Sequence, residues 1–222
     1  MTYVTAGIYG DWERYTQLLQ TIKFSDRDVL YVLGDVVDFG EQSVEVLTDM
    51  SMRTNVYPVA GDHDLLALRM LTGFDKMLKE GSMPDPEFAA EMTAWANDGG
   101  KVTLDGFRAL DNDMREGILD YLAEFCLFEE VEIGDKQYVL VHAGIADFDA
   151  DTPLDDYEPE DFFTPAKAGE VFFADRTLIV GHTPTDSGKI VREDGIIFVD
   201  CGVQNGGSLG CLCLETGEEF YA

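Results

Sequence analysis

Positive charge is what this sequence has least of: 15 lysines and arginines stand against 44 aspartates and glutamates, giving a formal net charge of -29 and a pI near 4.1. A field of that sign repels DNA, RNA and anionic lipid at long range, so neither a nucleic-acid nor a membrane partner is expected. The acids are spread among ordinary apolar segments, and no long carboxylate run marks a disordered tail. Long apolar runs are missing too. Met1–Gly10 has no basic residue and no stretch that matches a secretory signal or a spanning helix, so a cytoplasmic location is expected. Cysteine is scarce: of Cys126, Cys201, Cys211 and Cys213 only the last two are close, within an apolar strand-like run. That spacing supports neither a disulfide framework nor a zinc knuckle, and reduced core thiols are the expectation. Histidine is rarer still, with three in the chain.

The chain has 222 residues, 45% of them hydrophobic, which is material for one sizeable core and one domain over residues 1–222. Short runs rich in Val, Ile, Leu and Tyr stop at Gly, Asp or His: Tyr3–Ala6, Val29–Leu33, Val56–Ala60, Tyr138–Val141 and Leu178–Val180. They read as buried strands. Between the early ones, Trp12, Tyr15, Leu18, Leu19 and Ile22 share a helical face, as do Val44, Val46, Leu47 and Met50. Strand and helix in alternation predict an α/β layered fold. Over about 65–125 the pattern becomes mainly helical, punctuated by Gly81–Pro86 and Asp98–Lys101, and predicts an insertion over one rim of the sheet. Turn signals at Glu193-Asp194-Gly195 and Glu215-Thr216-Gly217 predict antiparallel hairpins at the end.

Each histidine follows one of these strands: His63, His142 and His182. A single histidine is more often a structural residue than a ligand, but three of three beyond strand ends is not what core packing asks for. Ligands of open α/β sheets bind beyond the carboxyl ends of strands, where such loops converge. Two strand ends, one of them that of His63, carry acids after glycine, Gly34-Asp35-Val36-Val37-Asp38 and Gly61-Asp62-His63-Asp64. One Gly-Asp alone is an ordinary turn; the repeated element beside imidazoles offers a mixed oxygen and nitrogen shell suited to Zn, Fe or Mn.

In order along the chain stand Gly34-Asp35-x-x-Asp38-Phe39-Gly40, Gly61-Asp62-His63-Asp64, His142-Ala143-Gly144 and Gly181-His182-Thr183. Together they resemble the signature of the calcineurin-like metallophosphoesterases, in particular the bacterial phosphoprotein-phosphatase type that includes serine/threonine phosphatases and diadenosine tetraphosphatases. The resemblance runs over nearly the whole chain and implies a layered sandwich of mixed β-sheets flanked by helices, with a helical insertion. It implies Asp35 as a metal-bridging carboxylate, with Asp62, His142 and His182 completing one metal site. It further implies His63 as the acid that protonates the leaving group, held by Asp38.

The departures from the signature matter equally. Where the family has Asp-Ile-His-Gly, this chain reads Gly7-Ile8-Tyr9-Gly10, so both private ligands of the first metal are missing. Asp11 is near enough in sequence to reach inward and a Tyr9 phenol can ligate iron, but the plain reading is a lost site. The phosphate-binding arginine of the second motif has become Phe39, and a later one falls at Ala166, where Lys167 alone offers a point charge. One divalent transition metal ion, Mn, Fe or Zn, is therefore expected. The expected function is a phosphoester hydrolase of weak or altered activity on a phosphate-containing small molecule or phosphoprotein. The alternative is an impaired relative serving as a metal-dependent binding or regulatory module, and an adventitious cation site ranks last because it would leave the imidazoles superfluous.

Overall fold

The computed structural model describes residues Met1–Ala222 throughout. Strands β1 (Thr2–Thr5), β2 (Val29–Leu33) and β3 (Val56–Val59) run parallel, joined through helices α1 (Trp12–Thr21) and α2 (Ser43–Ser51). The segment from β3 onward is helical: α3 (Asp62–Glu80), α4 (Pro86–Trp95), α5 (Lys101–Arg108) and α6 (Asn112–Ala123). Asp85 and Asp111 cap α4 and α6 by accepting backbone N–H groups, and left-handed Gly81 ends α3. A π-type turn over Ala96–Gly100 links α4 to α5, bent where Gly99 takes a positive φ.

The chain then builds a second sheet from β4 (Phe128–Ile133), β5 (Lys136–Val141), β6 (Arg176–Val180), β7 (Val191–Glu193) and β8 (Ile196–Phe198), in the order β4-β5-β6-β8-β7. Finally β9 (Gly210–Cys213) and β10 (Glu219–Tyr221) return to the first sheet, β9 lying antiparallel to β1. Both sheets are therefore mixed, and the two C-terminal hairpins turn at the two expected signals. The antiparallel edge strand β4 was not among the expected strands: its run Phe128-Glu129-Glu130-Val131-Glu132-Ile133 is half acidic and pairs on one side only.

Period-two alternation divides the core into layers. Tyr3, Leu30 and Val32 face α1, α2 and the later helices, in one cluster with Tyr15, Leu18, Leu47, Met50 and Met70. Val4, Leu33 and Val59 face the second sheet, meeting Leu140, Ile179 and Val199. The opposite face of that sheet, with Val139, Val141, Leu178 and Val180, is covered by Ile145, Phe162 and Ala166 from the irregular 143–173 stretch rather than by an α-helix. The helices thus flank one sheet, while loops and two short 3-10 turns close the other.

Candidate metal centre

The carboxyl ends of β2, β3, β5 and β6 lie together, and each delivers one side chain to the same point. Asp35, Asp62, His142 and His182 each offer a ligand atom within 4.8 Å of those of the others. His142 Nε2 lies 3.0 Å from His182 Nδ1, 3.1 Å from Asp62 Oδ1 and 3.6 Å from Asp35 Oδ1, and His182 Nδ1 lies 3.2 Å from Asp62 Oδ1. Four atoms around one ion at about 2.0–2.1 Å sit about 3.3 Å apart in a tetrahedron. The spacing therefore suits a first-row divalent ion. Asp35 Oδ1 is buried without a hydrogen-bond partner, an orphaned acceptor that a cation satisfies.

Local structure explains the convergence. A Cβ at Gly34 would stand 2.5 Å from His142 Nδ1, and one at Gly61 would stand 2.5 Å from Asp35 Oδ1, so only glycine lets these loops touch. The helix α3 begins at Asp62, three residues before the expected helical stretch, because Asp64 accepts the Gly61 N–H at 2.9 Å and starts the turn. Its other oxygen accepts the Val36 N–H at 2.9 Å, which ties the two Gly-Asp loops together. His142 Nδ1 donates to the Leu33 carbonyl at 2.8 Å, fixing the tautomer that leaves Nε2 free to bind metal. Seven non-glycine residues have positive φ, and Tyr9, Asp35, Asp38, Phe39 and His182 among them all line this region, a concentration of backbone strain typical of functional sites.

The electrostatics favour a cation. Burial disfavours a charged His142, yet Asp35 and Asp62 overcome it and raise the imidazole to about 9. Burial likewise opposes ionisation of Asp62, but His142 and His182 hold its carboxyl well below the usual range. Two carboxylates balance a divalent charge. The centre is open on one side, since Asp62 is 44% exposed while Asp35 and His142 are buried.

His63 follows Asp62 in the first turn of α3, with Nδ1 2.9 Å from Asp38 Oδ2. Asp38 is fully buried and also accepts from Trp95 Nε1 at 2.9 Å and Thr103 Oγ1 at 2.7 Å. Burial lowers the His63 pKa, but Asp38 and the nearby Asp35 and Asp62 outweigh it and raise the group to about 9. A protonated imidazole with Nδ1 tied down keeps Nε2 as a proton donor. Trp95 carried no sequence signal, and Thr103 only that of closing Gly99-Gly100-Lys101-Val102-Thr103, a lesser echo of the family signature; Trp95 packs against Gly100 of that run.

Tyr9 is buried and donates its hydroxyl to Asp35 Oδ2 at 2.6 Å, while Gln204 Nε2 donates to the Tyr9 hydroxyl oxygen at 3.3 Å. Burial and Asp35 push the phenol far above its ordinary pKa, so it stays neutral. Asp11 does not reach the centre: it caps α1 through the Arg14 N–H and pairs with the Arg14 guanidinium. Lys167 is exposed, its backbone N–H bonded to Glu170, and no ion pair joins it to a carboxylate of the centre. Asp200 stands in the run Asp200-Cys201-Gly202, in sequence only a lesser echo of the family signature and without an expected role. It is 1% exposed, has one oxygen without a partner, and is pushed up to about 6 by burial and Asp35.

The sequence pattern of the calcineurin-like phosphoesterases matches residues 3–203. Relatives named symmetrical bis(5'-nucleosyl)-tetraphosphatase include one from Chromobacterium violaceum, 36% identical over 48% of this chain and 36% of its own length. Another, from Acidovorax ebreus, is 29% identical over 64% of this chain and 43% of its own length, so the matches span less than half of either relative. Among solved structures, a proposed diadenosine tetraphosphatase superposes over 100% of this chain and 92% of its own with a TM-score of 0.69 at 18% identity. A metallophosphoesterase from Sphaerobacter thermophilus does so over 99% of this chain and 86% of its own, with a TM-score of 0.57 at 16% identity. At those identities the structural likeness establishes the fold.

Proposed function

Given that the chain belongs to the calcineurin-like phosphoesterase family, we propose that it is a phosphoester hydrolase working with one transition-metal ion held by Asp35, Asp62, His142 and His182. The observation that carries this reading is the cluster of four ligand atoms, all within 4.8 Å of one another, with the His63–Asp38 pair one residue away. Such an ion, when bound, polarises a phosphate oxygen and activates a water for attack. His63 supplies a proton to the departing oxygen, and Asp38 holds the imidazole in place. Tyr9 orients Asp35 by donating to the oxygen that faces away from His142.

The family's first metal position has no replacement ligand set, because Gly7 offers no side chain and the Tyr9 phenol is engaged with Asp35. Weak turnover on ordinary monoesters follows in this proposal, since each missing cation removes several kcal/mol of transition-state stabilisation. The tetraphosphatase names of the relatives support a phosphate-containing small molecule as substrate. Four free cysteines suit a reducing compartment such as the cytoplasm.

The second reading, a metal-dependent binding module, draws on the neutral phenol and the Phe39 side chain where catalysis needs positive charge. Hydrolysis of 4-nitrophenyl phosphate by the full chain with added Mn, Zn or Fe separates the two. Metal-dependent turnover lost in His182→Ala supports the hydrolase; metal binding without turnover on any ester supports the module.

A further inference from the structure

Phe39 is a large apolar side chain at the mouth of the centre, 41% exposed, with its ring 5.2 Å from His63 and 5.4 Å from Tyr9. Its position is fixed. The Phe39 N–H donates to the Gly99 carbonyl at 3.1 Å, the backbone is held at φ 59°, and the ring rests against Gly99, where even a Cβ would come within 3.0 Å of it. A second aromatic, Phe163, packs on the His142 ring at 5.9 Å. Hydrocarbon is therefore presented to whatever the metal holds.

The charge of the same place is equally specific. The ion pairs of Asp35, Asp38 and Asp62 are made with His63, His142 and His182, and no lysine or arginine joins them. Asp35, Asp38, Asp62 and Asp200 all lie within reach of a bound phosphate's field, against one divalent ion and the protonated His63. A phosphomonoester or polyphosphate brings two or more negative charges into that field; a phosphodiester brings one.

We infer that the site selects a singly charged phosphodiester carrying an aromatic or heteroaromatic ring, with that ring against Phe39. This inference rests on the metal centre proposed above. Hydrolysis of such a diester places a water-derived oxygen on phosphorus and breaks one P–O bond. The departing oxygen takes its proton from His63, one water proton restores that imidazole and the other passes to solvent, and a phosphomonoester and an alcohol are released. The product carries the extra charge the site disfavours, which assists its release.

The test is binding to the full chain saturated with Mn, using diphenyl phosphate and phenyl phosphate as probes, with turnover of bis(4-nitrophenyl) phosphate and 4-nitrophenyl phosphate alongside. The expected result is at least tenfold tighter binding of the diester, a preference that Phe39→Arg reverses and Phe39→Leu reduces by loss of stacking. Tighter binding of the monoester, or a preference that Phe39→Arg leaves unchanged, overturns the inference. Diester-selective binding without turnover of either ester supports the selectivity and counts against the hydrolase reading, so the two fail separately.

Discussion

Asp38 is the point at which the fold and the proposed chemistry are most tightly coupled, and removing it has a computable cost. Its carboxylate is fully buried and accepts from Trp95 Nε1, His63 Nδ1 and Thr103 Oγ1 at 2.7–2.9 Å. Asp38→Ala strips the acceptor from all three donors. At about 1–3 kcal/mol for each buried donor left unpaired, and with water able to reach the partly exposed His63, the loss is about 3–4 kcal/mol. For a chain of this size that lowers the melting temperature by roughly 10 °C. Asp38→Asn preserves the shape and the left-handed φ of 73°, which asparagine tolerates. Its oxygen still accepts from Trp95 and His63, and Thr103 can turn its hydroxyl to accept from the new amide. What disappears is the charge. A charge-assisted hydrogen bond is worth about 1 kcal/mol more than a neutral one, so proton donation by His63 to a poor leaving group weakens about five- to tenfold. Steady-state turnover of an alkyl phosphate by Mn-saturated protein reads the effect, and thermal melts show that Asp38→Asn remains folded. In a His63→Ala background the substitution is expected to change turnover little, because Asp38 acts through that imidazole. A full, independent loss in that background refutes the coupling.

Three further outcomes follow from the same contacts. Tyr9→Phe removes the donor to Asp35 Oδ2 and is expected to weaken Zn or Mn affinity tenfold or more in a chelator competition; unchanged affinity counts against the orienting role. Gly34→Ala adds a Cβ 2.5 Å from His142 Nδ1 and 2.6 Å from the Gly61 backbone at a left-handed φ, so urea unfolding is expected to show a loss above about 3 kcal/mol; a loss below about 1 kcal/mol contradicts the packing described. Asp75 is a buried acid in α3, paired with Arg115 at 2.9 Å and Lys79 at 2.8 Å; burial opposes its ionisation, but these two cations lower its pKa. Its contribution is therefore present above the ordinary carboxylate pKa and lost as pH falls through the lowered value. Asp75→Ala is expected to cost about 2 kcal/mol at neutral pH, or roughly 4–8 °C in melting temperature, and progressively less in acid; a cost that does not shrink in acid excludes the ion pair as its source.

The parts of this molecule legible in the sequence were those where a residue type is forced by backbone geometry or by ligand chemistry. Gly34 and Gly61 precede the acids because any side chain would strike the neighbouring loop, and the three histidines stand at strand ends because β3, β5 and β6 deliver them there. That Trp95 and Thr103 bond Asp38 was not legible, because they reach it from α4 and α5, about sixty residues away in the chain, with no periodic mark to distinguish them from core residues. Asp200 was a lesser echo of the family signature with no role attached, and its burial beside Gly7 gives it one. Gly7 itself shows how far the altered loop has settled: at φ 64° a Cβ would come 3.0 Å from the Tyr9 ring and 3.2 Å from Asp200 Oδ2. Restoring an aspartate there would meet strain as well as supply a ligand. Strand β4 was missed because its acidic alternation reads as solvated surface until β5 is placed beside it.

The central claim is that one transition-metal ion sits among Asp35, Asp62, His142 and His182, and anomalous scattering from crystals of the full chain grown with Mn or Zn tests it most directly. The expected result is one anomalous peak per chain within about 2.0–2.3 Å of those four side chains, lost in His182→Ala. No peak there, or a second peak of equal height between Asp35 and Gly7, would contradict it.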